Sequence, residues 1–159
     1  MKRLAIAVTV LAIGAAGCGS KSSTAPSTTT IYTVQLSALN EVPPVTNAEA
    51  TARGTAVITV DSAKNTIDFS VSLREFPAGS SVNVAHIHGA PAGQNAGVLV
   101  NTGLTAGNVV LTSGAGTFSF QQVTTSAANI TAIVAAPQNF YFNVHTTLNG
   151  GGAVRGQLQ

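Results

Sequence analysis

Two histidines share the tripeptide His86-Ile87-His88, and a third, His145, closes the run Tyr141-Phe142-Asn143-Val144-His145. The chain has 3 histidines in all. On an extended strand, residues i and i+2 face one side about 6.5–7 Å apart. The two imidazoles of the tripeptide can therefore converge on one ion. If the two strand ends are neighbours, His145 brings a third ring nitrogen. Three imidazoles suit zinc or copper. The same residues have a plainer reading. Val82 and Val84 share parity with His86 and His88, so an unbroken strand would put all four on one face. On the core face the histidines would be neutral and hydrogen-bonded to backbone or Thr hydroxyls. A bulge near Ala85 would re-aim them.

Other chemistries lack their residues. A cupin metal site also starts from H-x-H but needs a Glu a few positions later, and no Asp or Glu occurs between Gly89 and Gln159. The same gap removes a downstream carboxylate to orient a histidine in a triad. No Ser sits in a G-x-S-x-G elbow, and no Gly-rich loop leads to a Lys at a helix start. The expectation is an all-imidazole site without carboxylate help, or simply a polar β-domain.

Composition says what carries these residues. The 159-residue chain is 45% hydrophobic but only 8% charged, with 16 Gly. A charged helical surface is excluded, and an all-β domain with Thr and Val on pleated faces fits. The formal charge of +2 includes Lys2 and Arg3. Beyond residue 17, Lys21, Arg53, Lys64, Arg74 and Arg155 balance Glu41, Glu49, Asp61, Asp68 and Glu75. A neutral domain without a basic patch is not expected to bind nucleic acid.

Lys2-Arg3 followed by the apolar run Leu4–Ala16 reads as a secretory signal over residues 1–17, since a spanning helix needs about 20 residues. The run ends Ala15-Ala16-Gly17-Cys18, and Cys18 is the only cysteine. This resembles a bacterial lipobox, with Ala15 where Leu is usual. Lipid on Cys18 would hold the protein to the membrane of the cell envelope, facing outside the cytoplasm. The alternative is ordinary signal cleavage, which leaves an unpaired thiol. Residues 18–30 comprise Cys18 and a Ser/Thr-rich tether.

The domain, residues 31–159, alternates with period two. Tyr32, Val34, Leu36 and Ala38 share one face of a first strand. Thr55–Val60 and Ile67–Leu73 form a hairpin across Asp61–Asn65. Val82–His88, Val98–Val100, Val109–Leu111, Thr117–Phe120, Asn139–His145 and Ala153–Leu158 are further strands. Ser126–Ala136 is a short helix behind a Ser cap. Many short strands predict a Greek-key β-sandwich or barrel.

Five motifs then occur in order: Glu41-Val42-Pro43-Pro44-Val45, Gly54-Thr55-Ala56, His86-Ile87-His88-Gly89, Asn143-Val144-His145-Thr146, and Gly151-Gly152-Ala153-Val154-Arg155-Gly156-Gln157-Leu158. Together they resemble the CHRD domain, named for chordin and widespread in bacterial secreted proteins, over Tyr32–Gln159. The last motif departs from the family pattern: Gly150 replaces its Pro and Ala153 its Glu. The resemblance implies an immunoglobulin-like β-barrel with limited similarity to copper–zinc superoxide dismutases, carried by the H-x-H and its Gly. A binuclear dismutase centre needs twice the histidines present here, one of them bridging, and an Asp. Only a mononuclear copper or zinc site can be built, with water or Asn143 nearby. In chordin such domains belong to an extracellular growth-factor antagonist, and for bacterial members no activity carries over.

Within these motifs Glu41 and Arg155 are read as an ion pair joining the first and last strands. The alternative sets Arg155 beside the histidines as an anion anchor. Pro43-Pro44 marks a rigid turn or strand end. Three functions remain: a surface binding or scaffold module for an extracellular protein or matrix partner, a copper- or zinc-binding domain, and a mononuclear copper redox enzyme. Neither oligomeric state nor enzyme activity follows from the sequence.

Overall fold

The computed structural model describes residues 28–159. The signal segment, Cys18 and all but the last residues of the tether lie outside the described residues. The strands are β1 (Thr29–Ser37), β2 (Arg53–Asp61), β3 (Thr66–Arg74), β4 (Ser80–His88), β5 (Val98–Asn101), β6 (Val109–Leu111), β7 (Gly116–Thr124), β8 (Tyr141–Thr146) and β9 (Val154–Gln157). One α-helix, α1 (Ala127–Ala135), follows β7. Strand β1 begins at Thr29, two residues inside the segment read as tether, because Thr29 and Thr30 pair with Asp61 and Val60.

All the pairings are antiparallel, in the order β5-β4-β8-β9-β1-β2-β3-β7, with β6 also on β4. Strand β6 approaches β7 and nearly closes the sheet into a barrel. The terminal strands meet through Ser37 and Arg155. Alternation fills the interior as expected: Tyr32, Val34, Leu36 and Ala38 are buried from β1 and its following turn, and Ile67, Phe69, Val71 and Leu73 from β3. The β2–β3 hairpin turns at Asp61, whose Oδ1 accepts from the backbone N–H of Ala63 and Lys64. Helix α1 starts as read, with Ser126 Oγ accepting from Asn129 N at 3.1 Å, and buries Ile130 and Ile133. No helix among the described residues is long and apolar enough to cross a membrane.

Strand β4 does not keep one parity. Its register against β8 shifts between Val82, opposite Thr146, and Val84, opposite His145, so Asn83 is an extra residue. A β-bulge of this kind exchanges the two faces of everything after it. Val82 points into the core before the bulge, and Ala85 and Ile87 do so after it. His86 and His88 are thereby turned to the opposite face.

Candidate metal centre

Strand β8 carries the same alternation as the end of β4. Phe142 and Val144 enter the core, leaving Tyr141, Asn143 and His145 on the face away from it. Register then fixes the neighbours. His86 lies opposite Asn143 and His88 opposite Tyr141 on β4–β8, and Asn143 lies opposite Arg155 on β8–β9. His145 sits opposite Val84, one step along the same face as His86.

The three histidines meet. His86 Nδ1 is 3.3 Å from His145 Nε2. One ligand atom from each of His86, His88 and His145 lies within 4.8 Å of the others. All three residues are buried, at 8%, 6% and 9% exposure, outside the apolar core. The loop after β4 contributes Ala96, whose carbonyl is 2.9 Å from His88 Nδ1. The loop before β9 contributes Gly150, whose carbonyl is 2.9 Å from His145 Nδ1. A carbonyl only accepts, so each contact holds a proton on Nδ1 and leaves Nε2 as a lone-pair donor. This is how metal-binding histidines are usually oriented.

Burial, with His145 and His88 adding to it, holds His86 down at about 4. Burial also lowers His145, against the opposing effect of its Gly150 contact. At neutral pH both rings are neutral and able to bind a cation. For bonds of about 2.0–2.1 Å, tetrahedral ligand atoms lie about 3.3 Å apart. The 3.3 Å separation of His86 Nδ1 and His145 Nε2 matches that edge.

Around the rings runs a polar layer. Asn143 Oδ1 is 3.0 Å from His88 Nε2 and 3.1 Å from His145 Nε2. Tyr141 stacks on His88 with ring centroids 4.7 Å apart and planes 7° from parallel. Arg155, from the strand on the other side of β8, rests its guanidinium carbon 3.3 Å from the Tyr141 centroid. The Tyr141 ring is thus held between His88 and Arg155.

Family membership follows from the same elements. The CHRD domain matches residues 32–158, which span β1 to β9 and all three histidines. The chain belongs to the CHRD domain family. No curated protein and no solved structure matches the chain. Four of the five CHRD motifs fall around one patch of this fold: Glu41 from the β1–β2 loop, His86 and His88 from β4, Asn143 and His145 from β8, and Arg155 from β9.

Two expectations about that patch need correction. Glu41 and Arg155 form no ion pair among the described residues. Arg155 donates instead to Asn95 Oδ1 at 3.1 Å, to the Pro91 carbonyl at 3.2 Å and to Gln157 Oε1 at 3.4 Å. Beside the site Arg155 reaches His88 only through the Tyr141 ring on which it rests. The shortage of acids after Glu75 also misleads. Glu41, upstream in sequence, brings a buried carboxyl against Asn143. Burial raises Glu41 to about 7, although the Arg155 charge and an Asn143 hydrogen bond both oppose that rise. A carboxyl group therefore stands one residue behind the histidines.

Pro43 and Pro44 lie in the β1–β2 loop beyond the strand, as expected of a turn. Asn143 lies beside the histidines, as expected from the sequence, whereas the place of Tyr141 escaped the sequence reading. The signal was present: Tyr141, Asn143 and His145 share one parity on a strand.

Proposed function

We propose that this CHRD domain is an extracytoplasmic binding module that holds one copper or zinc ion on His86, His88 and His145. Lipid on Cys18 would tether it to the membrane of a bacterial cell envelope, for an extracellular protein or matrix partner. The observation that carries the metal reading is the convergence of three ring nitrogens within 4.8 Å, two of whose rings are pinned through Nδ1 by main-chain carbonyls.

Calorimetric titration of Ser20–Gln159, which contains every described residue, with Cu(II) and Zn(II) tests the reading. One ion per chain is expected, with binding lost in His86→Ala and His145→Ala. Wild-type binding no tighter than that of a chain lacking all three histidines defeats it. A superoxide-disproportionation assay on the loaded protein separates holding a metal from catalysis. Labelling with a radioactive fatty acid, with Cys18→Ser as the control, tests the anchor.

A further inference from the structure

Asn143 faces two imidazoles at once through Oδ1, at 3.0 Å from His88 Nε2 and 3.1 Å from His145 Nε2. In the neutral form of either ring the proton is on Nδ1, where a main-chain carbonyl accepts it. Both Nε2 atoms then carry lone pairs, and an amide oxygen carries only lone pairs. The one proton within reach is His86 Nδ1–H, 3.3 Å from His145 Nε2, which leaves His88 Nε2 and Asn143 Oδ1 facing each other without one. Charging both rings would satisfy the contacts but would set two cations with ring centroids 6.4 Å apart in a buried layer. A cation between the acceptors satisfies all three.

We propose that Asn143 is the fourth ligand of the centre, through Oδ1, and that its amide turns over between metal-free and metal-bound protein. The proposal rests on the three-histidine centre inferred above. The orientation in the structure, with Oδ1 toward the rings, is the ligating one. A half turn about the Cβ–Cγ bond presents the NH2 group instead, and its two protons match the two Nε2 lone pairs. His86 Nδ1 can also offer a proton or a lone pair, but its contact is to His145 Nε2, whereas Asn143 reaches both Nε2 atoms. Ala96 and Gly150 act through their main chain, and the rings of His88 and His145 are fixed by them.

At its far end, in the orientation shown, the Asn143 NH2 group donates to the Glu41 carboxyl. Glu41 Oε1 is buried and has no hydrogen-bond partner. A buried oxygen left open is uncommon, and the turned amide, facing it with Oδ1, bonds there only through a proton on the carboxyl. An amide oxygen also completes the coordination without adding charge, and a residue that is 2% exposed leaves little room for water in its place.

Two measurements on Ser20–Gln159 decide. In the metal-free protein, the Asn143 side-chain NH2, assigned by its loss in Asn143→Asp, should show scalar coupling across hydrogen bonds to His88 Nε2 and His145 Nε2. One equivalent of Zn(II) should abolish both couplings. In the second measurement Co(II) serves as a spectroscopic probe. The wild type should give the intense visible absorption of a four-coordinate ion. Asn143→Ala should bind about 10–100-fold more weakly, with the weaker bands of a water-ligated ion. Asn143→Asp should restore four-coordinate absorption. An Asn143 NH2 without those couplings overturns the turnover. Unchanged Co(II) affinity and spectrum in Asn143→Ala, alongside loss in His86→Ala, overturns the ligand assignment alone. A wild type that binds no metal overturns the three-histidine reading and this one with it. If Asn143→Ala does not fold, the couplings and the Asp variant give the answer.

Discussion

Gly156 of β9 passes Val34 of β1 so closely that a Cβ on the glycine would lie 2.6 Å from Val34 Cγ1 and would also meet the Gln35 carbonyl. The first and last strands touch closely at this point. Gly156→Ala should force β1 and β9 apart where they hold the site-bearing face together. Overpacking usually costs about 1–3 kcal/mol, and a clash with main chain belongs at the upper end. Urea denaturation should show a loss of about 3 kcal/mol or no cooperative transition. A midpoint equal to wild type would mean that the strands separate freely.

The Arg155 guanidinium is enclosed by Asn95, Pro91, Gln157 and the Tyr141 ring. Arg155→Met should leave those acceptors unpaired and cost about 2–4 kcal/mol. Arg155→Lys should recover less than half of that, because an ammonium cannot reproduce the planar fork over the ring. Full recovery by Lys in chemical denaturation would show that charge alone is what matters.

Glu49 is 1% exposed and accepts from Thr146 Oγ1 and Asn149 Nδ2, both at 2.6 Å. It ties the β1–β2 loop to the segment that carries Gly150, the partner of His145. Glu49→Ala should cost about 2 kcal/mol in stability. It should also weaken Zn(II) binding severalfold, although Glu49 touches none of the proposed ligands. Unchanged zinc affinity in a folded Glu49→Ala protein would separate this anchor from the centre.

Acidity should act on the metal-free protein in two opposed ways. Folding lowers His86 from its ordinary 6.5 to about 4. Between those values the unfolded chain binds a proton that the folded chain refuses, so stability falls as pH drops from 6.5 toward 4. Folding raises Glu41 from 4.5 to about 7. Over that window the folded chain keeps a proton that the unfolded chain has released, so stability falls as pH rises through 7. Glu41→Gln should remove the second effect. Urea midpoints with a chelator present should then decline only on the acid side. A variant that loses as much stability as wild type between pH 6 and 8 would show that Glu41 is not the group concerned.

The interior was legible because alternation alone decides it: Ile67, Phe69, Val71 and Leu73 could be placed in the core without knowing what they pack against. The histidines could not be placed this way. Their face depends on one extra residue, Asn83, and nothing in Val82-Asn83-Val84 distinguishes a bulged strand from a regular one. A bulge near Ala85, named only as the condition for re-aiming the histidines, is the right device two residues too late. Glu41 escaped for another reason. Its approach to Asn143 spans a loop and two strand pairings, and a count of acids downstream of the histidines is blind to it. Arg155 was found by motif and given the wrong partner, because opposite charge suggested Glu41 while the enclosing atoms come from a loop with little sequence signal.

The bulge at Asn83 has a last effect. By turning His86 and His88 away from the interior, it gives the two sides of β4 unrelated duties. Ala85 and Ile87 answer to the apolar packing that makes the domain fold, whereas the histidine side answers only to the loops that roof it. The binding layer is therefore free to change its residues, and with them its ligand, on a scaffold that stays the same beneath. A lineage of such domains could share one barrel while differing entirely in what lies on top of it.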